Sequence, residues 1–223
     1  METVVVTSDA FDSNNIQLKV GNDGSLKCKY DLGYKIGSLS DSRFRRFMLV
    51  LNNLKFPYGL RSTRRDATGS ERSHWSIICK VHRSDLANLT SLDNKIIEYL
   101  SNNSSVSKCY DINEDTLGAK ISSLYNRIVS PDNTIKINIL NDRDDRFFCR
   151  FYDNNGRSLD VSQSDINKQN HIRNIIQTPS SGSIIIRPVL WFAERTVGVN
   201  LIAEEISVAK CDDDDSNGIE CLI

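Results

Sequence analysis

Short stretches in which apolar and polar residues alternate occur towards both ends of the chain, and this period predicts β-strands. The clearest pair, residues 16–20 and 26–30, flanks a Gly-Asn-Asp-Gly turn that is typical of a hairpin. A third strand is predicted at residues 44–51, where Asn52 and Asn53 interrupt the pattern. The remaining predicted strands are residues 75–82, 135–140, 147–152, 158–161, 183–192 and 197–208.

In the middle of the chain the apolar residues recur at helical spacing instead. Leu89, Ile96 and Leu100 belong to a pattern that predicts a helix near residues 84–102. A weaker pattern predicts a second helix near residues 114–129. The order of elements therefore indicates a mainly β protein with inserted helices, an α+β fold.

Neither a sequence repeat nor a Gly/Pro-rich linker divides the chain, which favours a single domain over residues 1–210. Residues 211–223 carry no packing pattern and are predicted to form a disordered acidic tail.

The composition is that of a globular protein with a core, since 39% of the 223 residues are hydrophobic and 26% are charged. Apolar runs stay shorter than the roughly 18 residues that span a bilayer, and the first residues lack the features of a secretory signal. We therefore expect no membrane contact, no secretion, and a location in the cytoplasm or nucleus. The six cysteines show no C-x-x-C spacing, which favours free thiols.

Motifs for catalysis and for cofactor binding are missing from the sequence. The three histidines have no metal-ligand spacing, and neither a nucleophile motif nor a glycine-rich phosphate loop occurs. The acidic run at residues 142–145 resembles a calcium loop only superficially, because Phe147 stands where that loop needs glycine. We expect no enzymatic activity, no cofactor and no metal.

Charge is distributed unevenly, although the whole chain is formally −1 at pH 7. Residues 43–83 contain ten Arg or Lys against two acids, a net charge of +8, whereas residues 211–223 contain five acids and no base. A basic surface and an acidic tail are thus predicted in one chain, and a basic surface suits a polyanion.

Aromatic residues lie among these basic ones, and single-stranded nucleic acid needs both, because cations contact phosphates while flat rings stack on unpaired bases. Residues 61–72 are expected to form an exposed, arginine-rich loop. A plainer interpretation stays open, in which these basic residues only form the solvent-exposed face of a sheet and bind no ligand. The candidate nucleic-acid-binding residues are Arg43, Phe44, Arg45, Arg46, Lys55, Phe56, Tyr58, Arg61, Arg64, Arg65, Arg72, Trp75 and Lys80.

The acidic tail also has two interpretations. It is either a solvated end that aids solubility, or a flexible polyanion that competes with nucleic acid for the basic surface and, once displaced, docks replication proteins. The residues concerned are Asp212, Asp213, Asp214 and Asp215.

Three stretches carry a resemblance to a known class of proteins: LKFPYGL at residues 54–60, SIIIRPVLWF at 183–192, and VGVNL at 197–201 together with residues 203–208, followed by the acidic tail. Together they resemble the single-stranded-DNA-binding proteins of nucleocytoplasmic large DNA viruses and, more loosely, phage proteins with acidic C-termini. The resemblance implies an OB-like β-barrel that coats DNA during viral replication or recombination, without sequence preference and without catalysis. The sequence departs from this expectation in that Arg187 is the only base at residues 184–192.

Two other functions are compatible with the same residues. A viral structural protein with a β-sandwich would use the arginine-rich stretch to contact a neighbouring subunit, and would form a homo-oligomer. An acidic-tailed chaperone would instead use the tail to bind a basic partner such as a histone.

Overall fold

In the computed structural model the first predicted helix is present and a strand overlaps each predicted strand range, but residues 22–24 of the predicted hairpin turn, residues 26–28 and residues 160 and 161 lie outside the described residues. The structure describes residues 2–21, 29–35, 45–65, 72–103, 106, 112–142, 147–153, 155–159, 176, 180–193 and 196–210. Its helices are α1 (Arg83–Ser101) and α2 (Leu117–Leu124), with short 3-10 turns at Ser8–Ala10, Ser13–Asn15 and Glu114–Thr116. Its strands are β1 (Thr3–Thr7), β2 (Ile16–Gly21), β3 (Lys29–Tyr34), β4 (Arg45–Phe56), β5 (Leu60–Arg65), β6 (Arg72–Lys80), β7 (Tyr125–Asn126), β8 (Thr134–Ile139), β9 (Arg150–Tyr152), β10 (Ser158–Leu159), β11 (Ser180–Ala193) and β12 (Thr196–Lys210).

Backbone pairing connects five of the described strands in a closed circuit. β4 pairs with β6 at Lys55 and Lys80, and β6 pairs antiparallel with β8. β8 runs parallel to β12, β12 pairs antiparallel with β11, and β11 returns to β4. The described part of the chain is thus mainly β with two helices, as the sequence predicts.

Shorter strands extend this circuit into one twelve-stranded sheet within the described residues. The β2–β3 hairpin and the parallel strand β1 join β4, and β5 joins β6. β7 and β9 run parallel to β12, with β10 beyond β9.

The core follows from the alternation of the strands. In β8, Ile135, Ile137 and Ile139 are buried, while Lys136 and Asn138 between them reach the surface. Because side chains alternate across a strand, one face of β8 lies in the core and the other faces outward. Burying each such aliphatic side chain stabilises the fold by roughly 1.5–3 kcal/mol.

Helix α1 buries Leu89, Leu92, Ile96 and Leu100 at the spacing of a helical stripe. Its Tyr99 hydroxyl donates a hydrogen bond of 2.9 Å to the Ile16 carbonyl of β2 and fixes the helix on the sheet. Close to its first turn, buried Asp85 accepts hydrogen bonds from the Ser8 hydroxyl and from the Asn52 backbone N–H. The helix predicted at residues 84–102 is confirmed.

The second predicted helix is shorter than residues 114–129. After the 3-10 turn, α2 ends at Leu124, and Tyr125 and Asn126 form β7, which pairs with Val197 and Gly198 of β12. Parallel pairing to a long strand satisfies the backbone there and ends the helix.

Asn52 and Asn53 do not end the third strand, because β4 continues through them to Phe56. The register with β11 shifts at this point, and Asn53 has a φ of 54°. This is a β-bulge, and asparagine tolerates the left-handed conformation better than most residues.

The expectation of an exposed loop at residues 61–72 is also wrong for its first part. Residues 60–65 form β5, whose pairing with β6 runs from Leu60 opposite Ile77 to Arg65 opposite Arg72. Within the described residues β5 pairs only with β6, so it is an edge strand, and edge strands accept charged side chains.

One position in the circuit admits only glycine. Gly182 in β11 pairs with Leu54 of β4 on one side and Val208 of β12 on the other. A Cβ atom there would lie 2.0 Å from the Ser207 carbonyl oxygen and 3.2 Å from the Phe56 ring. The close approach of three strands therefore excludes any side chain.

Candidate nucleic-acid interface

Residues paired across neighbouring strands project to the same side of the sheet. Arg61 of β5 pairs with Ser76 of β6, and Ser76 pairs with Asn138 of β8. Asn138 in turn pairs with Ile202 of β12. The side of the sheet that carries Arg61, Ser76, Asn138 and Ile202, together with Lys136, is called the outer face below.

An exposed aromatic ring and a guanidinium stack on each other where β4 turns into β5. The guanidinium carbon of Arg61 lies 4.5 Å from the centroid of the Tyr58 ring, and Tyr58 is 52% exposed. Gly59, with a φ of 61°, supplies the left-handed conformation that this turn needs. Proteins bind unpaired bases with exposed aromatic rings next to cationic side chains, and the half-exposed Tyr58 ring with the Arg61 guanidinium over it is such a combination.

Two lysines of the predicted set extend the positive charge. Lys55 and Lys80 are exposed and lie opposite each other across the β4–β6 pairing. Arg46 is exposed as well, whereas half-buried Arg45 forms an ion pair of 2.9 Å with Glu2. The charge of Arg45 is therefore partly neutralised, and Arg45 is a weaker candidate than the lysines.

Phe56 and Trp75 are wrong as base-stacking candidates. Phe56 is fully buried, and Trp75 is 4% exposed with its ring 5.3 Å from that of Phe147 in an edge-to-face contact. The alternation of β6 turns Trp75 inward together with Ile77 and Cys79. An aromatic residue in a strand can therefore be buried even when its neighbours in the sequence are basic, because the alternation of the strand decides which way its ring points.

Several predicted residues are not tested by this geometry. Arg43, Phe44 and the tail residues Asp212–Asp215 lie outside the described residues. Arg64, Arg65 and Arg72 belong to the backbone ladder of β5 and β6, but the positions of their side chains are not described.

A cleft of about 840 Å³ lies beside β8 and β12, and its lining combines Lys136 and Asn138 of the outer face with core-facing residues such as Trp75 and Ile139. Half-buried Trp191 forms one wall, and buried Trp75 lies at its base. Two cations, Arg127 and Lys136, and one acid, Asp142, supply its charged lining. Its amide side chains belong to Asn126, Asn138, Asn141 and Asn200.

The chemistry of this lining suits a planar heterocycle attached to a phosphate. Asparagine amides donate and accept hydrogen bonds as base edges require, and the cations match phosphate charge. Sequence reasoning missed the cleft because its residues come from four separated parts of the chain. The available signal was that Asn138 and Asn200 stand at outward positions of β8 and β12.

A buried carboxylate holds one wall of the cleft. Asp93 of α1 is 1% exposed and accepts hydrogen bonds from the Tyr125 hydroxyl, at 2.7 Å, and the Ile128 N–H, at 3.0 Å. Arg127 also donates a hydrogen bond of 3.3 Å to Asn94 on the same helix. These contacts fix residues 125–128, which carry Asn126 and Arg127 to the cleft.

Burial is the main influence on Asp93. Desolvation raises its pKa from 3.8 to about 6, although the hydrogen bonds from Tyr125 and Ile128 and the charge of Arg127 oppose this shift. Burial beside this carboxylate also raises the pKa of Tyr125. Tyr125 therefore remains a neutral donor at physiological pH.

Other kinds of site are not evident in the described part of the chain. It contains no group of three or more His, Cys, Asp or Glu side chains that could hold a metal ion. Cys79 and Cys149 are free thiols, and burial raises the pKa of both. Neither described helix is long and apolar enough to cross a membrane.

No protein-family model and no curated protein matches the sequence. Among solved structures, the chain is similar to the single-stranded DNA-binding protein from bacteriophage Enc34. Its complex with single-stranded DNA is 13% identical, with coverage of 74% of this chain and 88% of that chain and a TM-score of 0.47. Its C-terminal truncation is 14% identical, with coverages of 88% and 97% and a TM-score of 0.45. A third structure of that protein is 13% identical, with coverages of 92% and 96% and a TM-score of 0.44.

These similar structures come from a phage protein and give no support to the expected link with nucleocytoplasmic large DNA viruses. TM-scores below 0.5 do not establish a common fold. The function of the present chain must therefore be inferred from its own surface.

Proposed function

We propose that this protein binds single-stranded DNA without strong sequence preference and without catalysing a reaction. The observation that supports this is the continuity of the outer face. The register from Arg61 through Ser76 to Asn138 puts Arg61, which stacks on the exposed Tyr58 ring, on the same side of the sheet as Asn138, an amide that lines the cleft. A strand of nucleic acid lying across β5, β6 and β8 would meet flat rings, amides and cations in succession.

We further propose that the closed circuit of strands is an OB-like barrel. If the five strands of the circuit are numbered in chain order, β4 is strand 1, β6 is 2, β8 is 3, β11 is 4 and β12 is 5. Around the circuit they then stand in the order 1-2-3-5-4, and strand 4 pairs with strand 1 to close it. In OB-folds the face of the second and third strands, with the adjoining loops, binds oligonucleotides. Here that face belongs to β6 and β8 and coincides with the outer face.

The spread of charge favours a single strand over a duplex. The cations on this side of the protein, including Lys80, Lys136 and Arg61, are separated by amides and by the Tyr58 ring. Duplex binding needs phosphate contacts but offers no exposed base faces, so the rings and the cleft would have no partner there. A role in viral DNA replication or recombination, in the host cytoplasm or nucleus, is part of this proposal.

A salt titration tests the proposal. Binding of a fluorescent oligothymidine to the full chain is measured by anisotropy at several salt concentrations from 50 mM upward. Four to six contacted phosphates, at about −0.7 each, imply a slope of log K against log salt of about −3 to −4. Absence of binding at 50 mM salt, or a flat slope, would exclude the function.

A pair of variants locates the binding surface. Lys136→Gln should weaken binding and reduce the magnitude of the slope by about 0.7, because one phosphate contact is lost. Lys95→Gln is the matched control, since Lys95 lies on α1 in a 2.9 Å ion pair with Glu98 and belongs neither to the strands of the outer face nor to the lining of the cleft. Equal behaviour of the two variants would place the DNA elsewhere on the protein.

A further inference from the structure

Two large apolar side chains are exposed side by side, and one of them, Leu140, lines the cleft. Phe148 is 67% exposed, the highest value among the large hydrophobic residues described, and Leu140 is 42% exposed. The Phe148 N–H donates a hydrogen bond of 3.0 Å to the Leu140 carbonyl, next to an isolated bridge between Asn141 and Phe147. The two side chains are therefore neighbours across an antiparallel pairing.

Phe148 is exposed although the backbone around it is firmly held. Its neighbours Phe147 and Cys149 are 7% and 2% exposed. The Phe147 ring lies 5.3 Å from that of Trp75 and 5.6 Å from that of Phe151. Buried anchors on both sides therefore present the Phe148 ring outward in a fixed place, which lowers the entropy lost when a ligand binds.

The surroundings of this pair are polar and cationic rather than apolar. Leu140 lines the cleft and continues the outward positions of β8 after Lys136 and Asn138. Successive outward positions are about 7 Å apart. A cation, an amide and an apolar surface thus follow one another along β8.

We propose that Phe148 is a base-stacking residue, with one unpaired base of bound single-stranded DNA lying on its ring and Leu140 supporting the base edge. The inference rests on the proposed function and adds to it a contact outside residues 43–83. A protein partner would need a larger apolar surface than one Phe and one Leu, whereas Lys136 and Arg127 match the charge of a nucleic-acid backbone.

The test compares substitutions at Phe148 in the full chain, using the oligothymidine assay. Phe148→Ala should weaken binding about 5- to 150-fold, as expected for loss of one stacked base. Phe148→Leu should weaken it nearly as much, because leucine keeps apolar area but has no flat face. Phe148→Trp should bind at least as tightly as the original chain. The salt slope should stay the same in all three, since no charge is removed.

Two controls separate stacking from other effects. Val5→Ala removes apolar area from another exposed position, 55% exposed on β1, and should not change binding. An oligothymidine with several abasic positions should bind Phe148→Ala and the original chain with nearly equal affinity, because no base is there to stack.

Each outcome has a separate meaning. If the original chain binds no DNA, the proposed function and this inference both fail. If the original chain binds DNA but Phe148→Ala binds equally well, only this inference is overturned. Full affinity in Phe148→Leu would overturn stacking and indicate simple apolar packing.

Discussion

The buried carboxylate of Asp93 should make the stability of this protein fall as the pH rises towards neutrality. Its pKa is raised from 3.8 to about 6 by burial, so the folded chain holds the proton more tightly than the unfolded chain. The stability gained from this proton is complete below about pH 3.8 and is lost as the pH rises through about 6. Among the described residues, Tyr125 and Arg127 are the titratable or charged groups that act on it.

The size of the effect follows from the pKa difference. About two pKa units, at about 1.36 kcal/mol each, correspond to about 3 kcal/mol over the whole range. Between pH 5.0 and pH 7.5 the linkage relation gives a loss of about 1.4 kcal/mol from this group.

Asp93→Asn isolates this contribution. Its amide oxygen still accepts the Ile128 N–H and its amide nitrogen faces the Tyr125 oxygen, but the side chain no longer ionises. The free energy of unfolding is measured by urea denaturation of both proteins at pH 5.0, 6.0 and 7.5 and constant ionic strength. The stability of the variant minus that of the original chain should rise by about 1.4 kcal/mol from pH 5.0 to pH 7.5.

Asp132→Asn provides a control of opposite sign. Asp132 is exposed, and a hydrogen bond from the Thr134 hydroxyl lowers its pKa, so the original chain should lose stability relative to this variant as the pH falls. A difference between Asp93→Asn and the original chain that stays constant with pH would refute the reasoning. It would mean that Asp93 has an ordinary pKa and is not desolvated.

The remaining predictions concern the closed circuit of strands and the acidic tail. Gly182→Ala should lower the free energy of unfolding by at least about 1–3 kcal/mol in urea, because its Cβ has no space. Gly118 lies on α2, where a Cβ atom would have no neighbour closer than 3.8 Å, so Gly118→Ala should instead stabilise the protein by about 0.5–1 kcal/mol. If both variants lowered the free energy of unfolding equally, the packing argument for Gly182 would be contradicted. Ending the chain after Lys210 should tighten DNA binding at low salt and leave the melting temperature unchanged, because four consecutive aspartates no longer compete with phosphates. Equal affinities of the full and shortened chains would show that the tail does not compete.

Local patterns were sufficient to predict elements whose environment is set by their own sequence. The alternation of β8, β11 and β12 and the apolar stripe of α1 each indicate one buried side, and the structure has that side in the core. The prediction that a strand ends at Asn52 and Asn53 is wrong because a bulge and a strand end have the same sequence pattern. Only the pairing with β11 distinguishes them.

The candidate site depended on contacts that no local pattern contains. The basic neighbours of Trp75 favour a role in binding, but the period of its strand places its side chain beside Ile77 and Cys79 in the core. Asn126, Asn138 and Asn200 lie far apart in the sequence and meet only because β12 runs parallel to β7 and β8. Phe148 carried no sequence signal, because its exposure depends on the burial of the residues on either side of it.

The position of β12 in the sheet has a consequence for how the protein is made. It is the last described strand, yet it pairs with β7, β8, β9 and β11, and it supplies Asn200 and Leu201 to the cleft. A ribosome must therefore synthesise the chain from β4 through β12 before the circuit closes, and such long-range pairing slows folding. Until then β8 and β11 expose unpaired edges that invite association with other nascent chains. Completion of the cleft and protection from aggregation should consequently arise together, once β12 has been made.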